Sequence, residues 1–156
     1  MKRFFAWAIC ALWMGIIFAM SAMPGDVSAK QSGTVTRIIM AVLAPIVGEQ
    51  GLRAADLSLL ELLVRKAAHM AEYAVLFFLY RRALRLSGVR RASLCALLMS
   101  AAYAATDEFH QCFTAGRGPS PVDVMIDTAG AALCWAVIGL WGRIGHGARA
   151  RGEENT

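Results

Sequence analysis

Three short segments of this chain set ionisable side chains among apolar neighbours. Lys66, His69 and Glu72 recur at i, i+3 and i+6, a spacing that keeps them along one side of a helix, with Tyr73 beside them. Asp107, Glu108, His110 and Gln111 close a later apolar run, and Asp123 and Asp127, one helical turn apart, open the next. The turn GRGPSP between those two runs supplies Arg117. Carboxylates, imidazoles and cations together allow three chemistries. The first is recognition, in which Lys66 and Arg117 bind an anionic group and the acids keep the pocket hydrated. The second is catalysis on a lipid-linked substrate, with His69, His110, Asp107 and Asp127 holding a divalent metal or exchanging protons. The third is ion or proton movement. No HExxH or GxSxG occurs and no helix carries a dense ligand set, so the signal for metal is weak and no cofactor is expected.

These residues need elements to carry them, and composition says which. The 156 residues are 58% hydrophobic and 17% charged, against about 45 to 50% and about 25% for soluble domains. The excess gathers into four runs: Phe4 to Met23, Lys66 to Tyr80, Ala92 to Gln111 and Val122 to Trp141. The first and last reach the roughly 20 residues that cross a bilayer core. The first run is also longer than the roughly 7 to 15 residues of a signal-peptide core, which favours a permanent helix. The second is extended by Arg81, Arg82 and Arg85, whose long stems can snorkel. Thr36 to Val47 and Leu57 to Val64 are apolar but too short to span, and are expected to lie in the interface. The expected fold is therefore all-α, a four-helix transmembrane bundle with short interfacial helices in the first outer loop. It forms one domain over residues 1–142 with a polar tail over 143–156.

Lysine and arginine positions orient this bundle, because short cytoplasmic loops hold the excess of positive charge. Ten basic residues fall on one side: Lys2, Arg3, Arg81, Arg82, Arg85, Arg90, Arg91, Arg143, Arg149 and Arg151. The other side receives six, namely Lys30, Arg37, Arg53, Arg65, Lys66 and Arg117. Both termini are then cytoplasmic, in a multi-pass protein of the cell membrane. In that orientation all three polar sets meet at the outer end. At 1.5 Å per residue Glu72 lies roughly 9 Å inward of Lys66, and Asp127 and Asp107 each about 6 Å inward of their helix ends, so one shallow pocket could hold them all. No acid or histidine occupies the inner half of any span, which leaves a through-path nothing to step on. The net charge of +5 is not gathered on one face, and nucleic acid is not an expected partner. Cys10, Cys95, Cys112 and Cys134 show no metal spacing and imply no disulfide framework.

Plainer roles compete for some of these residues. Lys66 suits an interface anchor, Glu108 and His110 a solvated helix end, and His69 and Glu72 a hydrogen bond between helices. Asp123, just after Pro121, suits a first-turn acid favoured by the helix dipole. Asp127 lies too deep for that and favours a site.

The stretches KAAHMAEYAVLFFLYRRAL and AAYAATDEFHQCFTAGRGPSPVDVMIDTAGAAL contain K-x-x-H-x-x-E-Y-x-x-L, D-E-x-H-Q and R-x-x-x-x-x-D-x-x-x-D-x-x-G. In these the chain resembles the VanZ-like family of small bacterial membrane proteins, over about residues 66–133 and more weakly at MSAMPG. The resemblance implies binding roles for Lys66, His69, Glu72, Tyr73, Asp107, Glu108, His110, Gln111, Arg117, Asp123 and Asp127, with Gly130 part of the motif. It also implies an association with low-level teicoplanin resistance that does not depend on remodelling the peptidoglycan precursor. The chain departs from the family pattern at Asp127, where many members carry asparagine, and at Phe113 to Arg117, which lacks the usual proline. The expected function is recognition of an envelope component, lipid-linked or glycopeptide-related, with membrane lipid as a partner. The alternative is an intramembrane hydrolase or transferase acting on a lipid-linked substrate.

Overall fold

The computed structural model describes the backbone of residues 1–54 and 56–153, and side chains for 1–46, 48 and 56–144. Among the described residues it contains five helices and no strand: α1 (Lys2–Ser21), α2 (Gly25–Ala54), α3 (Leu57–Leu86), α4 (Ala92–Gln111) and α5 (Pro121–Glu153). All-α architecture is as expected. Among the described residues two helices, α1 and the Pro121–Ile144 part of α5, are long and apolar enough to cross a membrane. The other two runs carry the charged and amide side chains of the polar sets, which lower their apolar character.

The outer segments differ from expectation. Thr36 to Val47 does not form a short helix of its own; it lies inside the 30-residue α2, which is interrupted at Gly48 (φ 72°, ψ 165°). The helix runs on through the polar residues before it, whose hydroxyls are satisfied on their own helix rather than by a loop. Ser32 Oγ donates to the Ser28 carbonyl (2.7 Å) and Thr34 Oγ1 to that of Lys30 (3.0 Å). Its polarity is inverted: Ser32 and Thr36 are buried while Val35, Ile38 and Val42 point outward.

Leu57 to Val64 is likewise no separate interfacial helix. It is continuous with the second run in α3, 30 residues and about 45 Å long. No glycine or proline interrupts the stretch, and Asp56 caps its start by accepting from the Ser58 and Leu59 N–H groups. At the other end α5 does not stop with the apolar run at Trp141 but continues through most of the expected tail to Glu153. Residues 154–156 of the expected tail lie outside the described residues, as do the side chains of Glu49, Arg53, His146, Arg149 and Arg151.

α3 is the central helix, packed against each of the other four, whereas among the described residues α2 lies on no helix but α3. Tyr73, Leu76, Phe77, Tyr80 and Ala83 of α3 are buried with Cys10 and Ile17 of α1, Ala96 and Ala104 of α4 and Ala131 of α5. Small residues allow this approach: Gly130 faces the Met70 backbone carbonyl, where a β-carbon would have no room. α1 is tied down by Trp13 Nε1 donating to the Glu72 carbonyl (3.0 Å) and Tyr103 Oη to that of Met14 (2.7 Å). The outside of the bundle is apolar, with Phe4, Phe5, Leu12, Leu98, Leu133 and Trp141 all exposed.

Candidate functional site

The middle of α3, the end of α4 and the start of α5 converge at one end of the bundle. α3 presents Lys66, His69 and Glu72 along one side, as the spacing requires. Lys66 Nζ forms an ion pair with Asp123 Oδ1 of α5, both half-buried. His69 Nδ1 lies 3.3 Å from Glu72 Oε2 on its own helix.

The turn between α4 and α5 is organised by Glu108. Its Oε1 accepts from Gln111 Nε2 (3.1 Å) and its Oε2 from the Ser120 N–H (2.9 Å). Gln111 Oε1 in turn accepts from the Arg117 guanidinium (3.3 Å). Ser120 Oγ accepts from the Asp123 N–H (3.3 Å) and so caps α5, with Pro121 at the first helical position. The rim is closed by backbone: the Gly25 N–H at the start of α2 donates to the Ala115 carbonyl (3.2 Å). A β-carbon on Gly25 would lie 2.6 Å from the Gly116 carbonyl oxygen, and Gly116 itself has φ +73°. Glycine is required on both sides of this contact.

Two clefts open here. One, of about 220 Å³, is lined by Lys66, His69, Glu108, Gln111, Arg117 and Asp123 together with Arg65 and the glycines of the rim. The other, of about 180 Å³, is lined by Glu72 and by α1 and α2 residues including Met20, Ser28 and Ser32. Arg65, His69 and Arg117 border both.

The remaining expected site residues do not share this space, so a single pocket for all of them is corrected. Tyr73, Asp107, His110 and Asp127 line neither cleft. Asp107 and Asp127 are 2% and 3% exposed, set behind the clefts toward the core. His110 turns to α1, where its ring meets Phe18 at 4.2 Å between centroids. The reason is rotation about the helix axis: depth along an axis follows from counting residues, but facing depends on how the neighbouring helices are turned. Buried acceptors and donors remain without a hydrogen-bond partner among the described residues, among them Asp107 Oδ1, Tyr73 Oη, His110 Nδ1 and Ser21 Oγ. No three His, Cys, Asp or Glu side chains among the described residues are arranged to hold a metal ion, so the metal-based reading gains no support from the geometry.

The residue that spacing passed over is Arg65. It directly precedes Lys66 and stands about 100° round the helix from it, off the stripe formed by Lys66, His69 and Glu72. Arg65 Nε donates to Ser32 Oγ of α2 (3.3 Å). Burial, and then the neighbouring Arg65 cation, pull Arg117 below the usual arginine value, with the Asp107, Glu108 and Asp123 carboxylates acting against them, and its guanidinium stays charged at neutral pH. The only signal in the sequence was a second cation beside the motif lysine.

An all-helical bundle with an apolar exterior and a polar cleft at one end defines the class. The chain belongs to the VanZ/LLP1 family, whose model matches residues 5–142. No curated protein and no solved structure matches it.

Proposed function

We propose that this chain is an integral membrane protein of the bacterial envelope, and that its cleft recognises an anionic group on a lipid-linked or glycopeptide-related component. In this reading α1, the inner part of α3, α4 and α5 cross the bilayer, both termini are cytoplasmic and the cleft opens outward. The apolar exterior supports the membrane setting, since so many large apolar side chains exposed together are unusual on proteins surrounded by water. Membership of the VanZ/LLP1 family supports a role in resistance, and the resemblance to VanZ-like proteins is what suggests the teicoplanin type.

The observation that carries the reading is the pairing of Arg65 with Arg117. The charge of Lys66 is met by Asp123, but the two guanidinium groups bond only to the neutral Ser32 and Gln111. Neither forms an ion pair among the described residues. Two like charges bordering the same clefts disfavour each other; Glu108 and Asp123 in the same cleft offset this only in part, and arginine forks suit a phosphate or carboxylate placed between them.

The test is R65Q/R117Q in cells made teicoplanin-tolerant by the protein. The expected result is loss of tolerance at unchanged protein level, with the extracted lipids of both strains identical in mass. A modified lipid that disappears in D107N or D127N would instead make the protein an enzyme.

A further inference from the structure

The opposite end of the bundle holds another cleft, of about 380 Å³. Arg81 and Arg85 reach it from the last turns of α3, Arg90 and Arg91 from the turn into α4, and Trp135 flanks it from α5. No aspartate or glutamate occurs between Tyr73 and Thr106, nor between Thr128 and Gly152. None of the four arginines forms an ion pair among the described residues. Arg81 Nε donates to Ser93 Oγ (3.0 Å), which orders one guanidinium without neutralising it.

α4 begins at the same place. Arg91 is its N-cap residue, provides no capping acceptor, and is followed by a first turn without an acid. No side chain caps the first N–H groups of α4, which as at any helix start have no carbonyl a full turn earlier within the helix. Acceptors and anions are favoured at a helix start, so a cation at the cap leaves this end more positive. The distribution of charge across a bilayer accounts for arginines on this side of the protein. It does not account for four of them lining one cleft beside an indole.

We propose that this cleft binds the phosphate of an anionic lipid headgroup. Guanidinium forks and helix-start N–H groups are the chemistry that holds phosphate, and basic pockets between membrane helices on the cytoplasmic side take such headgroups. The lipid source rather than a free anion is favoured by what adjoins the cleft. Leu94 lines it, and Leu98, one turn further along α4, is 61% exposed, so an apolar track for an acyl chain leads away from the arginines. The inference makes no use of the outer clefts, and it rests on the proposed orientation, which puts these arginines at the cytoplasmic side.

The full chain, purified in detergent, is titrated with cardiolipin, phosphatidylcholine or inorganic phosphate and read by native mass spectrometry. Cardiolipin is expected to be retained in preference to phosphatidylcholine. R85Q/R90Q should lower its apparent affinity about thirtyfold, the equivalent of about 1 kcal/mol for each arginine near a membrane surface. R90Q alone, in the exposed turn, should lower it about fivefold and serves if the double variant does not fold. K2Q/R3Q removes two cations from the start of α1, outside the cleft, and should change affinity less than twofold. Equal losses in R85Q/R90Q and K2Q/R3Q would reduce the effect to bulk charge and overturn the site. Equal retention of phosphatidylcholine would do the same, and displacement of cardiolipin by millimolar phosphate would make it a site for the free anion instead of a headgroup.

Discussion

Gly130 of α5 seats directly on the backbone carbonyl of Met70 in α3. This contact sets how near the two helices run, and Asp127 and His69, each within a turn of it, take their positions from it. G130A is expected to force the helices apart at a cost of about 1 to 3 kcal/mol, the usual range for overpacking, read as a lower melting temperature in detergent. G139A is the control, because nothing lies within 4 Å of a β-carbon at Gly139. With alanine the better helix former, its melting temperature should stay or rise. Equal melting temperatures for the two variants would mean that the close approach is not a constraint.

The facing of the cleft can be read with the protein's own thiols. Cys112, just past α4, is free and exposed, whereas Cys10 is buried. A membrane-impermeant maleimide should label Cys112 in intact cells and not the C112S variant. Within that variant, G118C in the turn before α5 should also label, and R90C only after permeabilisation. The reverse pattern would put the Arg65 and Arg117 cleft in the cytoplasm and remove the proposed ligand class.

Asp56 gives the structure a pH dependence with a definite sign. The Ser58 hydroxyl, then the Leu59 and Ser58 N–H groups, all donate to its carboxylate and hold it below the ordinary aspartate value. A carboxylate depressed in the folded state contributes stability that is present above its unfolded value, about 3.9, and is lost as pH falls through the folded value. Exchange of the Ser58 and Leu59 amides, corrected for intrinsic rates, should therefore quicken as pH falls below about 4. D56N keeps an acceptor at the cap and should abolish the pH dependence, while D56A should fray at every pH. Acid-insensitive exchange in the native protein would exclude this cap as the cause.

Much of the site was readable because helical period and chain direction are both written in the sequence. Lys66 and His69 share a stripe, Glu108 and Gln111 sit one turn apart, and the proline-rich turn returns Arg117 and Asp123 toward them. Those six side chains do line one cleft. What was not readable depends on rotation and on hydroxyl chemistry. Nothing in the spacing of Asp107 and His110 tells which of them turns to Phe18 of α1. The length of α2 was hidden because Ser28, Ser32 and Thr34 look like loop residues in an apolar-run reading, yet the Ser32 and Thr34 hydroxyls bond back to carbonyls of their own helix. Arg65 was counted only as a loop charge, and its role at the clefts follows from the unbroken start of α3.

The clasp between Gly25 and Gly116 separates two properties of the entrance. Selectivity resides in guanidinium and carboxylate groups, whereas aperture is governed by two residues that have no side chain to vary. Drift in the ligand-reading positions can thus alter what is admitted without widening the door, and a single methyl at position 25 would unhinge the door while every reader stayed intact.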